Sequence, residues 1–228
     1  MYVPSIYQAE DRAWLRRIVE QYPLATLVTN GPRVPYATHL PMIFSPDSPS
    51  GDAGPEGVTL LGHMNRANAH WDSLTDGADA QLIFTGPHGY VTPAVYETTP
   101  AAPTWNFVSV HLQGTLRPIT GFEETLEVVQ RTVKAYEKDF GDGWEMDGSL
   151  EYFRGIGPAV GAFRFEVESA DGMFKLSQEQ GPDIRKRVTD RFASDGTWRG
   201  RELAALMREF DTTREPSVPT GGTAHAHN

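Results

Sequence analysis

Two histidines, one arginine and two asparagines crowd a single short stretch, Gly62-His63-Met64-Asn65-Arg66-Ala67-Asn68-Ala69-His70-Trp71. It follows an apolar run, Val58-Thr59-Leu60-Leu61, that reads as a buried strand. Polar groups gathered at a strand end face either a turn or a ligand. His63, beside Gly62, is the residue best suited to hold a metal or a metal-bearing cofactor, because a neutral imidazole is a common ligand. The plainer reading is a core histidine satisfied by a backbone carbonyl. Arg66 carries a fixed fork of donors that suits carboxylate or phosphate. A helix start near Asn68 would add free backbone N–H groups. Against this stands a solvated surface arginine.

Three more segments are equally dense in polar chemistry. They are Ala37-Thr38-His39-Leu40-Pro41, Pro103-Thr104-Trp105-Asn106 with His111, and Phe174-Lys175-Leu176-Ser177-Gln178. Four such segments in one mid-sized chain suit a large cofactor. Trp105 fits beside a flat ring, but a core or interface tryptophan is the plainer reading. Lys175 is either a site cation or a solvated lysine. A zinc site on His39, His63 and His111 competes, but no H-E-x-x-H spacing fixes its ligands. Ser109 and Ser177 lack the G-x-S-x-G context of a hydrolase nucleophile. His88 reads as a turn residue, and His225 and His227 fall in a loose tail.

The chain has 228 residues, 39% of them hydrophobic, enough for one large domain or one domain plus a small appendage. A net charge of −10 disfavours a nucleic-acid surface. No window approaches the run of about 18 apolar residues that a membrane helix needs. The start, Met1-Tyr2-Val3-Pro4, lacks a signal-peptide pattern, so a cytoplasmic location is expected. Cysteine is absent. That excludes disulfides, thiolate zinc sites, iron–sulfur clusters, a cysteine nucleophile and a cysteinate haem ligand.

The elements that must carry these residues are short and mostly extended. Trp14, Leu15, Ile18 and Val19 mark an amphipathic helix that ends before Pro23. Strands are expected at Leu24–Thr29, Val34–Phe44, Val58–Met64, Ala80–Thr85, Tyr90–Tyr96, Phe107–Leu116 and Ala159–Glu168. Pro35 and Pro41 argue for an edge or a bulge in the second. Ser45–Gly57 reads as a flexible loop, and Asn65–Leu74 as beginning in a helix. Leu126, Val129, Val133 and Tyr136 predict a helix between Gly121 and Gly141. Two more helices are expected near Asp183–Phe192 and Gly200–Phe210. The sum is a mainly β fold with peripheral helices (α+β), a small antiparallel barrel. No G-x-G-x-x-G or G-x-x-x-x-G-K supports a dinucleotide or P-loop site. Residues 1–212 read as one domain with C-terminal helices, and 213–228 as a disordered tail.

Several of these segments, in this order, resemble the PaiB-like "FMN-binding negative transcriptional regulator" family. They are Tyr2-Val3-Pro4, Ala37–Pro41, Gly62-His63 with Arg66-Ala67-Asn68, Gly86-Pro87-His88, Pro103–Asn106 with Val110-His111, and Lys175-Leu176-Ser177-Gln178. The resemblance spans roughly residues 1–210. It implies a Greek-key, split β-barrel of the FMN-binding type, and a homodimer. The chain departs from the regulator pattern at Asn65, at Ala69-His70, at Thr98–Ala102 and at Asp171–Phe174. These variants resemble the piperazate synthase branch, haem-dependent enzymes of nonribosomal peptide pathways. That branch implies haem b rather than FMN, and a small amino-acid substrate. It implies cyclisation of N5-hydroxy-L-ornithine to L-piperazic acid, with an N–N bond formed and water lost. By the same resemblance, His63 is the expected axial iron ligand, with His111 and His39 in reserve. Arg66 and Lys175 are expected to meet haem propionates or the substrate carboxylate. Asn65, Asn68, Thr104, Trp105, Asn106 and His111 are expected to line the pocket, with His63, Lys175 and Thr104 nearest the chemistry. The competing implication is an FMN-binding oxidoreductase or regulator.

Overall fold

The computed structural model describes residues 1–48 and 54–213. Part of the expected loop at Ser45–Gly57, and the expected tail with His225 and His227, lie outside the described residues. Among the described residues, six strands close into a barrel in the order β1-β2-β3-β6-β5-β4. They are β1 (Leu24–Thr29), β2 (Tyr36–Phe44), β3 (Thr59–Asn65), β4 (Ala78–Val91), β5 (Thr104–Ile119) and β6 (Val160–Lys175). The pairings of β1 with β2 and β4, of β2 with β3, and of β6 with β3 and β5 are antiparallel. Closure pairs every strand with a neighbour on each side over part of its length. The expected mainly β architecture with helices at its periphery is therefore the one observed.

Alternation builds the strands. In β1, Ala25, Leu27 and Thr29 are buried while their neighbours are less so, as a period of two requires. Pro41 sits where β2 changes partner: Leu24 of β1 opposes Pro41, and Gly62 of β3 opposes Met42. A residue with no N–H costs least at such a junction. β5 carries a register shift at Gln113/Gly114. A Cβ on Gly114 would stand 2.0 Å from the Glu166 carbonyl oxygen, so only glycine allows this close backbone approach.

Tyr90–Tyr96 is not a separate strand. β4 continues through Gly86-Pro87 to Val91, and a short 3-10 turn follows at Pro93–Val95. The ladder with β1 extends only as far as Ile83, so Pro87 removes no hydrogen bond from it.

By compactness the chain divides into two units. The first comprises residues 1–86 and 107–175. Its interior holds Leu27, Leu60, Leu82, Phe84, Val110, Leu112, Phe163, Phe165 and Phe174, each fully buried. Helix α1 (Ala13–Gln21) turns Trp14, Leu15, Ile18 and Val19 inward. Trp14 meets Phe174 edge-on at 6.1 Å. Helix α3 (Phe122–Phe140) packs on β2, β3 and β6, and its Val128 joins Leu61, Ile119 and Ala162 in a buried cluster. The short α2 (Ala69–Asp72) and α4 (Leu150–Ile156) complete this unit. The second unit comprises residues 87–106 and those from 176 onward. In it α5 (Pro182–Ala193) and α6 (Trp198–Thr213) pair through Val188, Phe192, Leu203, Met207 and Phe210. Among the described residues no helix is long and apolar enough to cross a membrane.

Candidate functional site at His63

β3 ends in the polar segment, and the first unit holds it from three directions. Asn65 Oδ1 accepts from the Ala67 N–H at 2.8 Å, turning the chain. The Arg66 N–H donates to the Ala159 carbonyl, and Arg66 Nε donates to the Val160 carbonyl, both at 2.8 Å. Asn68 is the N-cap of α2, its side-chain oxygen accepting from the His70 N–H at 3.0 Å, as a cap residue should. The helix foreseen over Asn65–Leu74 is thus only Ala69–Asp72.

A cavity of about 600 Å³ opens here, within the usual range for small-ligand sites. His63, Asn65 and Asn68 line it, with Thr38 and His39 from β2. Leu40, Pro41, Met64, Ile156, Ala159 and Val160 make the rest of the wall apolar. His63 is half-buried, and burial pushes its pKa below the ordinary histidine value. Its Nδ1 is buried with no hydrogen-bond partner among the described residues. Orphaned polar atoms of this kind are rare in folded proteins. His39 Nδ1 lies 2.9 Å from Thr26 Oγ1. Gly62 does not make room for a ligand: a Cβ there would strike Met42 Sδ at 2.5 Å and the Phe163 ring at 2.7 Å.

The remaining expected residues take other places. The Arg66 guanidinium lies over Trp71 at 5.0 Å, and Arg66 does not line the cavity. His111 opposes Asp171 across the β5–β6 ladder. Burial and the neighbouring N-terminal ammonium lower its pKa, and Asp171 opposes them. Asp171 itself pairs with the Met1 ammonium at 2.6 Å. Lys175 ends β6 opposite Phe107, its ammonium 5.8 Å from the Tyr7 ring. Neither His111 nor Lys175 lines the His63 cavity. Thr104, Trp105 and Asn106 belong to the second unit. Trp105 is 52% exposed and meets Tyr90 edge-on at 5.8 Å. Asn106 is fully buried, and its amide donates to Ser177 Oγ at 2.9 Å. Among the described residues no three His or carboxylate side chains gather to hold a metal ion. The zinc site on His39, His63 and His111 is therefore not assembled.

His70, the second histidine of the polar run, has a setting that its local sequence did not foretell. It is 1% exposed and lies between Thr29 and Thr38. A histidine two places after an N-cap asparagine, facing a strand that ends in threonine, was the available signal.

Residues 1–169 match the family described as "Putative FMN-binding domain". The protease synthase and sporulation protein PAI 2 of Bacillus subtilis is 24% identical over 92% of this chain and 97% of its own length. An uncharacterized protein of Emericella nidulans is 26% identical over the same shares. Among solved structures, the FAD and heme binding protein of Mycobacterium smegmatis superposes with a TM-score of 0.53 at 16% identity, over 84% of this chain and 81% of its own. A conserved hypothetical protein of Mycobacterium tuberculosis gives 0.52 at 12% identity, over 79% and 94%. These likenesses fit the split-barrel fold. With three-quarters of its length inside the family match, the chain belongs to the FMN-binding domain family.

Proposed function

We propose that the protein binds haem b through His63 and cyclises N5-hydroxy-L-ornithine to L-piperazic acid, as a cytoplasmic homodimer. The observation that carries this reading is the His63 imidazole on the largely apolar wall of a cavity, its pKa lowered by burial and its enclosed Nδ1 without a hydrogen-bond partner among the described residues. Neutral imidazole is the form that ligates iron. An apolar wall with a polar rim of His39, Asn65 and Asn68 suits a flat macrocycle with polar edges. Among the described residues no lysine or arginine lines the cavity, so a flavin phosphate and the haem propionates alike would be met there by Asn65, Asn68 and His39 rather than by a fixed cation.

Bound haem supplies an iron Lewis acid for the departing hydroxyl. The protein's own residues do the rest. His63 anchors the cofactor, and the Asn65 and Asn68 side chains offer donors to the substrate's carboxylate. The apolar wall excludes water, and holding the chain folded makes the amine's attack intramolecular. One N–N bond forms and one N–O bond breaks, the amine gives up a proton, and the hydroxyl leaves as water. The closure is redox-neutral and consumes no external reductant.

The second reading is an FMN-binding oxidoreductase or regulator, favoured by the family's description and by the PAI 2 relative. The mycobacterial protein named for both FAD and heme shares the fold, so both cofactors belong in one test. The absorption spectrum of the freshly purified protein decides. A Soret band that His63→Ala abolishes, with product detected by mass after incubation with N5-hydroxyornithine, supports haem. A flavin spectrum, or an unchanged Soret band in His63→Ala, overturns it.

A further inference from the structure

We infer that His70, with Thr38 and Thr29, forms a proton relay from the His63 cavity to a second, separate cavity in the same unit. The identity of the proton donor rests on the proposed cyclisation; the relay itself rests on geometry. Thr38 and Asn68 line the first cavity. Thr29 lines another of about 470 Å³, together with Asp79, Gln81 and Glu168. The His70 imidazole spans the gap. Its Nδ1 lies 2.8 Å from Thr38 Oγ1 and its Nε2 lies 2.9 Å from Thr29 Oγ1.

The ring is fixed in place. Tyr36 stacks on it at 5.2 Å and 18°, and its backbone N–H is tied to Asn68. The Asn68 amide donates to Thr38 Oγ1 at 3.1 Å, so one lone pair of Thr38 is already committed. Two arrangements of protons then satisfy every group. In one, the Thr38 hydroxyl donates to Nδ1 and Nε2–H donates to Thr29. In the other, Nδ1–H donates to Thr38, the Thr29 hydroxyl donates to Nε2, and the Thr38 proton faces away from the ring. Each hydroxyl and each ring nitrogen can both give and accept.

Moving one proton along the line converts the first arrangement into the second. A ligand in the His63 cavity gives a proton to Thr38 as Thr38 gives its own to Nδ1. Nε2 gives its proton to Thr29, and the original Thr29 proton leaves to water beside Asp79 and Glu168. One proton enters and one leaves, no charge stays on the ring, and nothing is oxidised. Burial disfavours the imidazolium, so the ring passes the proton on rather than keeping it. In the cyclisation, this is the proton the attacking amine must lose.

A purely structural role makes a different prediction. Glutamine at position 70 offers one acceptor and one donor but cannot pass a proton. Valine at position 29 keeps the shape of threonine and removes only the hydroxyl, at the end remote from the His63 cavity. Two readouts are needed: solvent exchange of the His70 ring N–H by ¹⁵N NMR on cofactor-free protein, and kcat and KM for cyclisation by haem-loaded protein. Expected are slowed exchange in Thr29→Val with recovery in Thr29→Ser. Also expected is a kcat per folded molecule lower by about 10²-fold in Thr29→Val and His70→Gln at unchanged KM, measured well below the lowered melting temperature that the stranded ring nitrogen or the lost Tyr36 stacking brings. Unchanged exchange in Thr29→Val, or wild-type kcat in folded His70→Gln, overturns the relay. If wild-type protein cyclises nothing, the proposed function fails, while the exchange measurement still decides the relay.

Discussion

Trp71 lies flat against Gly161: a Cβ at position 161 would stand 2.5 Å from the indole ring. That contact helps to fix the polar segment on β6, because the same indole lies 5.0 Å from the Arg66 guanidinium, whose Nε donates to the Val160 carbonyl. Gly161→Ala is expected to displace the indole and destabilise the fold by about 1–3 kcal/mol, the usual cost of overpacking. Thermal melting and a shift in tryptophan emission check this. An unchanged melting temperature would mean the indole moves aside freely.

Asn106 and Ser177 form a closed polar pair in the second unit. Asn106 donates to Ser177 Oγ at 2.9 Å, Ser177 Oγ lies 3.1 Å from Asn106 Oδ1, and both residues are fully buried. Asn106→Leu and Ser177→Ala are each expected to cost about 1–3 kcal/mol, because each strands a buried partner. The double variant is expected to cost less than the sum. Denaturant titration of the four proteins tests it, and strict additivity would refute the coupling.

Stability should fall in mild acid. Burial lowers the pKa of His63 and of His70 below the ordinary 6.5. As pH falls through that ordinary value, the unfolded chain takes up protons that the folded protein refuses. Stability is therefore intact above it and declines from there down to the depressed values. Melting of cofactor-free protein from about pH 7.5 to about pH 5 should show the decline, and His70→Gln should flatten it. A wild-type profile level across that range would contradict the burial of these two rings.

Tyr136 on α3 donates to the Met42 carbonyl at 2.8 Å, and burial pushes its pKa well above that of free tyrosine. Tyr136→Phe is expected to cost about 0.5–1.5 kcal/mol, the net worth of one neutral hydrogen bond plus the stranded carbonyl. Spectrophotometric titration should find this tyrosine the last to ionise. Ionisation of Tyr136 in the ordinary tyrosine range would show the contact open in solution.

The amino-acid sequence alone determined the class of fold and the strand end at which His63 stands. Period-two burial in β1 and helical spacing in α1 and α3 are local properties, set by which face must leave water. The polar run after Leu61 had to end a strand, and His63 with Asn68 does stand at one cavity. What lay between distant segments was not local. Whether β4 stops at Pro87 depends on how far β1 accompanies it. The place of His111 depends on Asp171, sixty residues on, and on the Met1 ammonium that Asp171 holds. Asn106 is committed to Ser177, seventy-one residues away. The setting of His70 required α2 to dock on the β1–β2 hairpin, whose register puts Thr29 and Thr38 within reach of the two ring nitrogens. Register and closure are decided by the whole set of buried side chains at once, and no window of sequence contains that set.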